Sequence, residues 1–339
     1  MKVTTIGLDL AKRVFQLHWV DMETGEICRR QLKREQVAEF FANREPALVA
    51  MEACGSAHYW GRKLKGFGHE VRLIAAQFVR PFVKTNKTDA ADARAIWEAV
   101  QRPEMKFVAL KSEAQQGVLS LHRMREQLVK MRTMQTNQVR GLLYEFGAVL
   151  PQGRQAGMAR VAEELARLER SLSPMVIEVI REQLKRIEKF NEDIADIEKK
   201  LTAWKKEDKS AKKLMEIPGV GLLTATAAVA TIGDAKAFKS GREFAAFVGL
   251  VPRQSGTGGR IKLLGISKRG DVYLRTLLIH GARAVISHQK GREPWLDKLL
   301  ARRPFNAVAV ALANKMARTI WALLAHDRMY QRGYVAKAA

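Results

Sequence analysis

Two aspartates, Asp89 and Asp92, stand three positions apart in KTNKTDAADARAI (84–96), with Lys84, Lys87 and Arg94 around them. Three apart on a helix means the same face, one turn removed. There, two like charges repel unless something positive lies between them. The local alternative is a helix start, with Thr88 as N-cap and both carboxylates near the positive end of the helix dipole. Asp9 closes the apolar run of IGLD, and Glu52 closes that of ALVAME. A carboxylate directly after core residues either caps the next turn or faces a site. Hard oxygen donors around one point suit Mg²⁺ or Mn²⁺, and two such ions flanking a phosphodiester clamp its attacking and leaving oxygens.

The elements that must position these groups alternate strand and helix over the first hundred residues or so. KVTTIGLDLA reads as a strand, and VFQLHWVDMETGEICRRQL as a hairpin around Thr24-Gly25. A helix over 33–43, the strand ALVAMEA, a helix over 58–65 and the strand EVRLIAA follow. The helix bearing Asp89 and Asp92 then runs to about Val100, before Pro103. This order predicts a mixed sheet covered by helices. Asp9 and Glu52 would sit at strand ends, and the Asp-x-x-Asp face on a neighbouring helix, as in a ribonuclease-H/RuvC-like nuclease.

The remainder reads as helical. A long run over 112–150 is followed by a second over 175–206, where Ile187, Phe190, Ile194, Ile197, Leu201 and Trp204 recur three and four apart. That pattern predicts a helical hairpin or short coiled coil. IPGVG joins two short apolar helices; Gly219 and Gly221 either admit a phosphate to backbone N–H groups, as in a helix-hairpin-helix, or simply allow a tight turn. VPRQSGTGGRIKLLGISKRG reads as a flexible loop, and helices over 271–287 and 306–325 end the pattern. The late apolar stretch FNAVAVALANKMARTIWALLA is interrupted by Asn306, Asn314, Lys315 and Arg318, and reads as a buried amphipathic helix, not a membrane span. The divisions expected are 1–110 (RuvC-like), 111–210 (helical, coiled-coil arm) and 211–339 (mainly α-helical).

Composition narrows the partners. The 339 residues carry 59 Lys and Arg against 35 acidic residues, a net charge of +24. From Val251 onward 17 basic residues face 4 acidic ones. Such an excess points to a polyanion, nucleic acid first. Arg253, Arg260, Lys262, Lys268, Arg269 and Arg275, with Lys84 and Lys87, are the candidate phosphate contacts. Cys28 and Cys54 are the only cysteines, which excludes a disulfide framework and fits a reducing cytoplasm. Trp60, Trp97, Trp295 and Trp321 fall at amphipathic positions and are expected in the core rather than stacked on bases.

GLDLAKRVF, MEACGSAHYW and TNKTDAADARA resemble the three N-terminal motifs of the DEDD transposases of bacterial insertion sequences, the 110/1111 group. IPGVG, FAAFVGLVPRQSGTGG and ISKRGDVYLRTLL are similar to that family's second domain. The resemblance places the four acids at Asp9, Glu52, Asp89 and Asp92. It also implies a nucleophilic serine, which after GLVPRQ falls at Ser255. Locally, Ser255 has no Ser-His-Asp partners and looks like a turn residue; Ser267 is its nearest rival and reads as an N-cap or phosphate-contact serine. Membership further implies a covalent phosphoserine intermediate and an oligomer, a dimer assembling to a tetramer, with the two halves of the site on different protomers. Donor and target DNA would be read by a structured bridge RNA. The competing readings are a RuvC-like junction nuclease using water, and a non-catalytic nucleic-acid-binding protein.

Overall fold

A computed structural model describes residues 3–83, 88–289 and 291–333. Strands β1 (Thr5–Asp9), β2 (Val14–Val20) and β3 (Ile27–Lys33) form an antiparallel meander. Its second turn is closed by the Asp21 carboxylate, which accepts from the N–H groups of Glu23 and Thr24, and by Gly25 at φ +74°. Then come α1 (Gln36–Ala42), β4 (Leu48–Glu52), α2 (Ala57–Gly66), β5 (Glu70–Ile74), α3 (Ala76–Val79), α4 (Asp89–Val100) and the short β6 (Phe107–Val108). The sheet order is β3-β2-β1-β4-β5-β6. β4 lies parallel between β1 and β5, and the other pairings are antiparallel.

Strands covered on both faces lose the polar alternation of a half-solvated strand. Ile6, Leu8 and Gly7 of β1 and Val49, Ala50 and Met51 of β4 are accordingly all buried. On one face Ile6, Leu8, Phe15, Leu17, Val49, Met51 and Leu73 pack with Val37 and Phe41 of α1 and Trp60 and Leu64 of α2. On the other, Ala50 and Ile74 meet Ala95, Ile96, Ala99 and Val100 of α4. Each large side chain so buried contributes about 1.5–3 kcal/mol. This mixed α/β layer is compatible with a ribonuclease-H-like transposase fold.

The long helices α5 (Glu113–Glu145) and α7 (Pro174–Glu207) run antiparallel: Arg125 bonds Glu198 at 2.8 Å, Arg132 bonds Asn191 at 2.9 Å, and Gln135 bonds Gln183. Between them in sequence lies α6 (Arg154–Leu168), a helix the sequence reading did not anticipate. Gly153 (φ +87°) is its N-cap, and apart from Gly157 it is built mostly of Ala, Arg, Glu and Leu, strong helix formers. Val161 and Leu165 bury it against Val139 and Leu143 of α5 and Ile177 and Ile180 of α7. The expected seam is buried at Ile187, Ile194, Ile197 and Leu201.

The rest comprises α8 (Lys209–Leu214), α9 (Leu222–Ile232), α10 (Gly241–Phe247), β7 (Pro252–Thr257), β8 (Arg260–Ile266), α11 (Val272–His288), α12 (Pro294–Leu300) and α13 (Phe305–Ala325). By length and hydropathy α13 could cross a membrane. Val308, Leu312, Met316, Ile320 and Leu323 bury it along one stripe, as expected of a core helix. The chain forms two compact units: Met1–Gln116 with Ala230–Phe244 and Leu324–Asp327, and Gly117–Val229 with Ala245–Leu323 and Arg328–Ala339.

One expectation is corrected here. The Gly-rich stretch after Val251 is not a flexible loop but an antiparallel hairpin of β7 and β8. Its two-residue turn is Gly258-Gly259, at φ +56° and +76°. Such paired positive φ values match the twist of a hairpin, and glycine adopts them without steric cost.

Candidate active site

The register Leu8↔Met51 between β1 and β4 leaves Asp9 and Glu52 as the next residue of each strand. Thr88 caps α4, its Oγ1 accepting from Ala91 N at 3.2 Å, so Asp89 and Asp92 occupy the first turn as expected. The helix start does not keep the pair from Asp9. The Asp9, Asp89 and Asp92 carboxylates bring one oxygen each to within 4.8 Å of one another. Glu52 stands outside that close set but still acts on it. Burial pushes the Asp9 carboxyl up to about 6, and the charges of Asp92, Asp89 and Glu52 add to the shift. Burial, with Glu52 and Asp9, likewise raises the Cys54 thiol. Oxygen-only donors that repel one another fit a hard divalent cation, whose charge removes the repulsion.

Gly7 and Trp97 position this centre; Gly7 is not singled out by the sequence, and Trp97 is expected there only as a core residue. A Cβ on Gly7 would lie 2.3 Å from Ala93 O and 2.8 Å from Trp97 N, so α4 can rest on β1 only because position 7 is glycine. Trp97 Nε1 donates to Thr5 O at 3.1 Å, tying the helix to the start of the strand that carries Asp9. The legible signal was a glycine inside an otherwise apolar strand, which often marks close backbone approach.

The second unit holds Ser255, exposed on β7 and paired with Lys262 of β8. Residues opposite each other in an antiparallel pair share a face. Ser255, Lys262, Thr257 and Arg260 therefore line one side of the ribbon, and Gly256 and Ile261 the other. Arg253, Lys268 and Arg269 are exposed.

Arg275 is not, and its expected phosphate role is corrected. It is 6% exposed, and its Nη1 donates to Val248 O at 2.8 Å and Arg269 O at 2.7 Å. Val248 precedes the hairpin and Arg269 follows it, so this guanidinium fastens the two ends of the ribbon. Gly249 and Gly270 make the closure possible, since a Cβ on either would strike backbone of the opposite end, Arg269 O at 2.3 Å and Phe247 O at 1.7 Å. Ser267 is not the N-cap of α11; Asp271 is, accepting from Leu274 N at 2.8 Å.

In IPGVG, Gly219 has φ +82°, and a Cβ there would meet Gly281 O of α11 at 2.7 Å. Its glycine is accounted for by packing. Gly221 faces open space at the start of α9. Lys84 and Lys87 lie outside the described residues.

A six-stranded mixed sheet whose strand-end Asp9 meets two aspartates of α4, in a chain whose remainder is largely helical and strongly basic, fits an enzyme of phosphodiester chemistry on nucleic acid. Comparison with known proteins makes the class particular. Residues 6–147 match the model of the DEDD-type IS110 transposases, and residues 211–296 that of the IS116/IS110/IS902 transposase family. The chain is 51% identical over 338 residues to a probable family 20 transposase of Pseudomonas aeruginosa, covering 98% of this chain and all of the relative. It is 42% identical to the transposase of insertion sequence element IS1111A of Coxiella burnetii, over 98% and 92% of the two chains. It is also 40% identical to that of IS1328 of Yersinia enterocolitica, over 97% and 99%. The chain belongs to the IS110/IS1111 transposase family, enzymes that cleave DNA and transfer its strands.

Proposed function

We propose that the protein is the transposase of an insertion sequence, cutting and rejoining DNA through a covalent phosphoserine at Ser255. The convergence of Asp9, Asp89 and Asp92 carries the metal-dependent part of this reading, and the family resemblance supports the serine. These three carboxylates, with Glu52 beside them, would hold Mg²⁺ or Mn²⁺. A divalent cation there supplies Lewis-acid stabilisation of the charge that develops on the phosphodiester oxygens. Ser255 Oγ would form the new bond to phosphorus as it loses its proton, and the deoxyribose oxygen would leave and take one up. Reversal with a different strand end rejoins DNA without loss of bond energy. Lys262 and Arg260, on the Ser255 side of the ribbon, would bind phosphate oxygens; Arg253, Lys268 and Arg269 would extend that grip.

The family resemblance supports the rest. The serine and the acids would come from different protomers of a dimer or tetramer. A bridge RNA would read donor and target sequence while the protein holds backbone, the division of labour of RNA-guided systems. The protein would act in the bacterial cytoplasm, on nucleoid DNA. Residues 1–110 would be the RuvC-like part, 111–210 a coiled-coil arm and 211–339 the part with the serine ribbon. The IPGVG turn would give a helix-hairpin-helix grip through Gly221, with Gly219 shaping the turn.

A water-using junction nuclease is the second reading, favoured by one observation: the three carboxylates assemble within the N-terminal unit alone. Ser255→Ala separates the two. With element-end DNA, guide RNA and Mg²⁺, the wild type is expected to yield a protein–DNA adduct that maps to the Ser255 peptide. The variant is expected to lose adduct and cleavage together, on the order of a thousandfold or more. Cleavage by the variant at the wild-type rate would establish the water mechanism.

A further inference from the structure

Asp9 does not stand alone at its end of the sheet. The connection from Asp9 to Val14 contains Lys12 and Arg13, both exposed. Pairing of Val14 with Lys33 brings the end of β3 to the same edge. Arg34 N then donates to Arg13 O at 2.8 Å, and Arg34 Nη1 reaches Lys12 O at 3.4 Å. Four cations, two from the β1–β2 connection and two from the end of β3 and the residue after it, are thus drawn together at the sheet end where Asp9 and Glu52 terminate their strands. Among the described residues none of the four pairs with a carboxylate; the nearest acid in sequence, Glu35, is exposed.

Arg34 is also held in place. Its guanidinium lies 5.6 Å from the centre of the buried Phe15 ring and 5.5 Å from that of Trp60. Stacking of this kind fixes a cation that would otherwise lose rotamer entropy on binding. A site built from carboxylates repels the strand it must cut, and a cation in the site offsets only local charge. The phosphates on either side of the cut need their own partners.

We infer that Lys12, Arg13, Lys33 and Arg34 form a backbone-binding rim beside the acidic centre, which takes the DNA phosphates flanking the one attacked. The rim rests on the transposase assignment but not on Ser255 or on any metal, and it can be tested without chemistry. In EDTA, a duplex DNA of arbitrary sequence is titrated against salt with the full-length protein and with Lys12→Gln/Arg13→Gln/Lys33→Gln. Arg34 is left intact because its stacking supports the fold. A control triple, Lys130→Gln/Lys189→Gln/Lys199→Gln, removes the same charge from lysines already paired with Glu126, Asp193 and Asp196.

Each phosphate contact contributes about 0.9 to the slope of log affinity against log salt. The rim triple is expected to lower the magnitude of that slope by about 2–3, and the control triple by much less. Structured RNA titrated in parallel separates the two polyanions. An unchanged DNA slope, whether or not the RNA slope falls, overturns the assignment, as does an equal fall in the control.

Discussion

At the scale of single residues, Asp9 makes the most specific demand. Its folded pKa lies near 6 against an ordinary 3.8, through burial and the charges of Asp92, Asp89 and Glu52. Between those values the folded state holds a proton that the unfolded state has lost. Asp9 therefore favours folding below pH 4, and that contribution disappears as pH rises through 6. In EDTA, the melting temperature of Asp9→Asn relative to wild type is expected to climb from pH 4 to pH 7, and Mg²⁺ should stabilise only the wild type. A pH-independent difference in calorimetry would remove the carboxylate repulsion from the argument.

His122 behaves oppositely. Burial lowers it to about 4, and its bonds define one tautomer. Thr226 Oγ1 donates to Leu222 O at 2.8 Å and so accepts from His122 Nε2 at 2.9 Å. Nδ1 is left to accept from Tyr273 at 3.0 Å. Protonation would break the Tyr273 bond, so stability is lost as pH falls below 6.5. Nitrogen-edited NMR should find His122 neutral at pH 5.5, protonated on Nε2; titration near 6.5 would contradict the network.

At the scale of elements, β1 and α4 form the working pair, and Gly7 sets their distance. Gly7→Ala should destabilise by about 1–3 kcal/mol through overpacking. It should also weaken divalent-cation binding, because displacing α4 carries Asp89 and Asp92 away from Asp9. Gly117 and Gly141 of α5 have open space at Cβ, so alanine there should stabilise by up to about 1 kcal/mol. Chemical denaturation of the three variants tests this ordering. The strand–helix alternation and both strand-end acids were legible because apolar runs ended in carboxylates. The serine ribbon was not, because glycine-rich composition hid the Gly258-Gly259 turn between two strands that bury almost nothing. Arg275 misled for a related reason. It falls three residues before Leu278 and seven before Ala282, on the buried stripe of α11, yet in a basic segment its charge read as surface.

At the scale of the whole molecule, a chain of net charge +24 also carries a small acidic centre, a composition suited to gripping phosphates broadly while acting on one. Composition revealed the grip; it could not place the rim at Lys12, Arg13, Lys33 and Arg34, which depends on strand register. The close approach of Asp9 to Asp89 and Asp92 is likewise tertiary, bridging about eighty positions of chain. The most direct measurement is calorimetric titration of Mn²⁺ into the wild type, Asp9→Asn and Asp89→Asn. Saturable binding in the wild type, lost in both variants while their folds persist, is expected. Undiminished binding in the variants would contradict a cation held between β1 and α4.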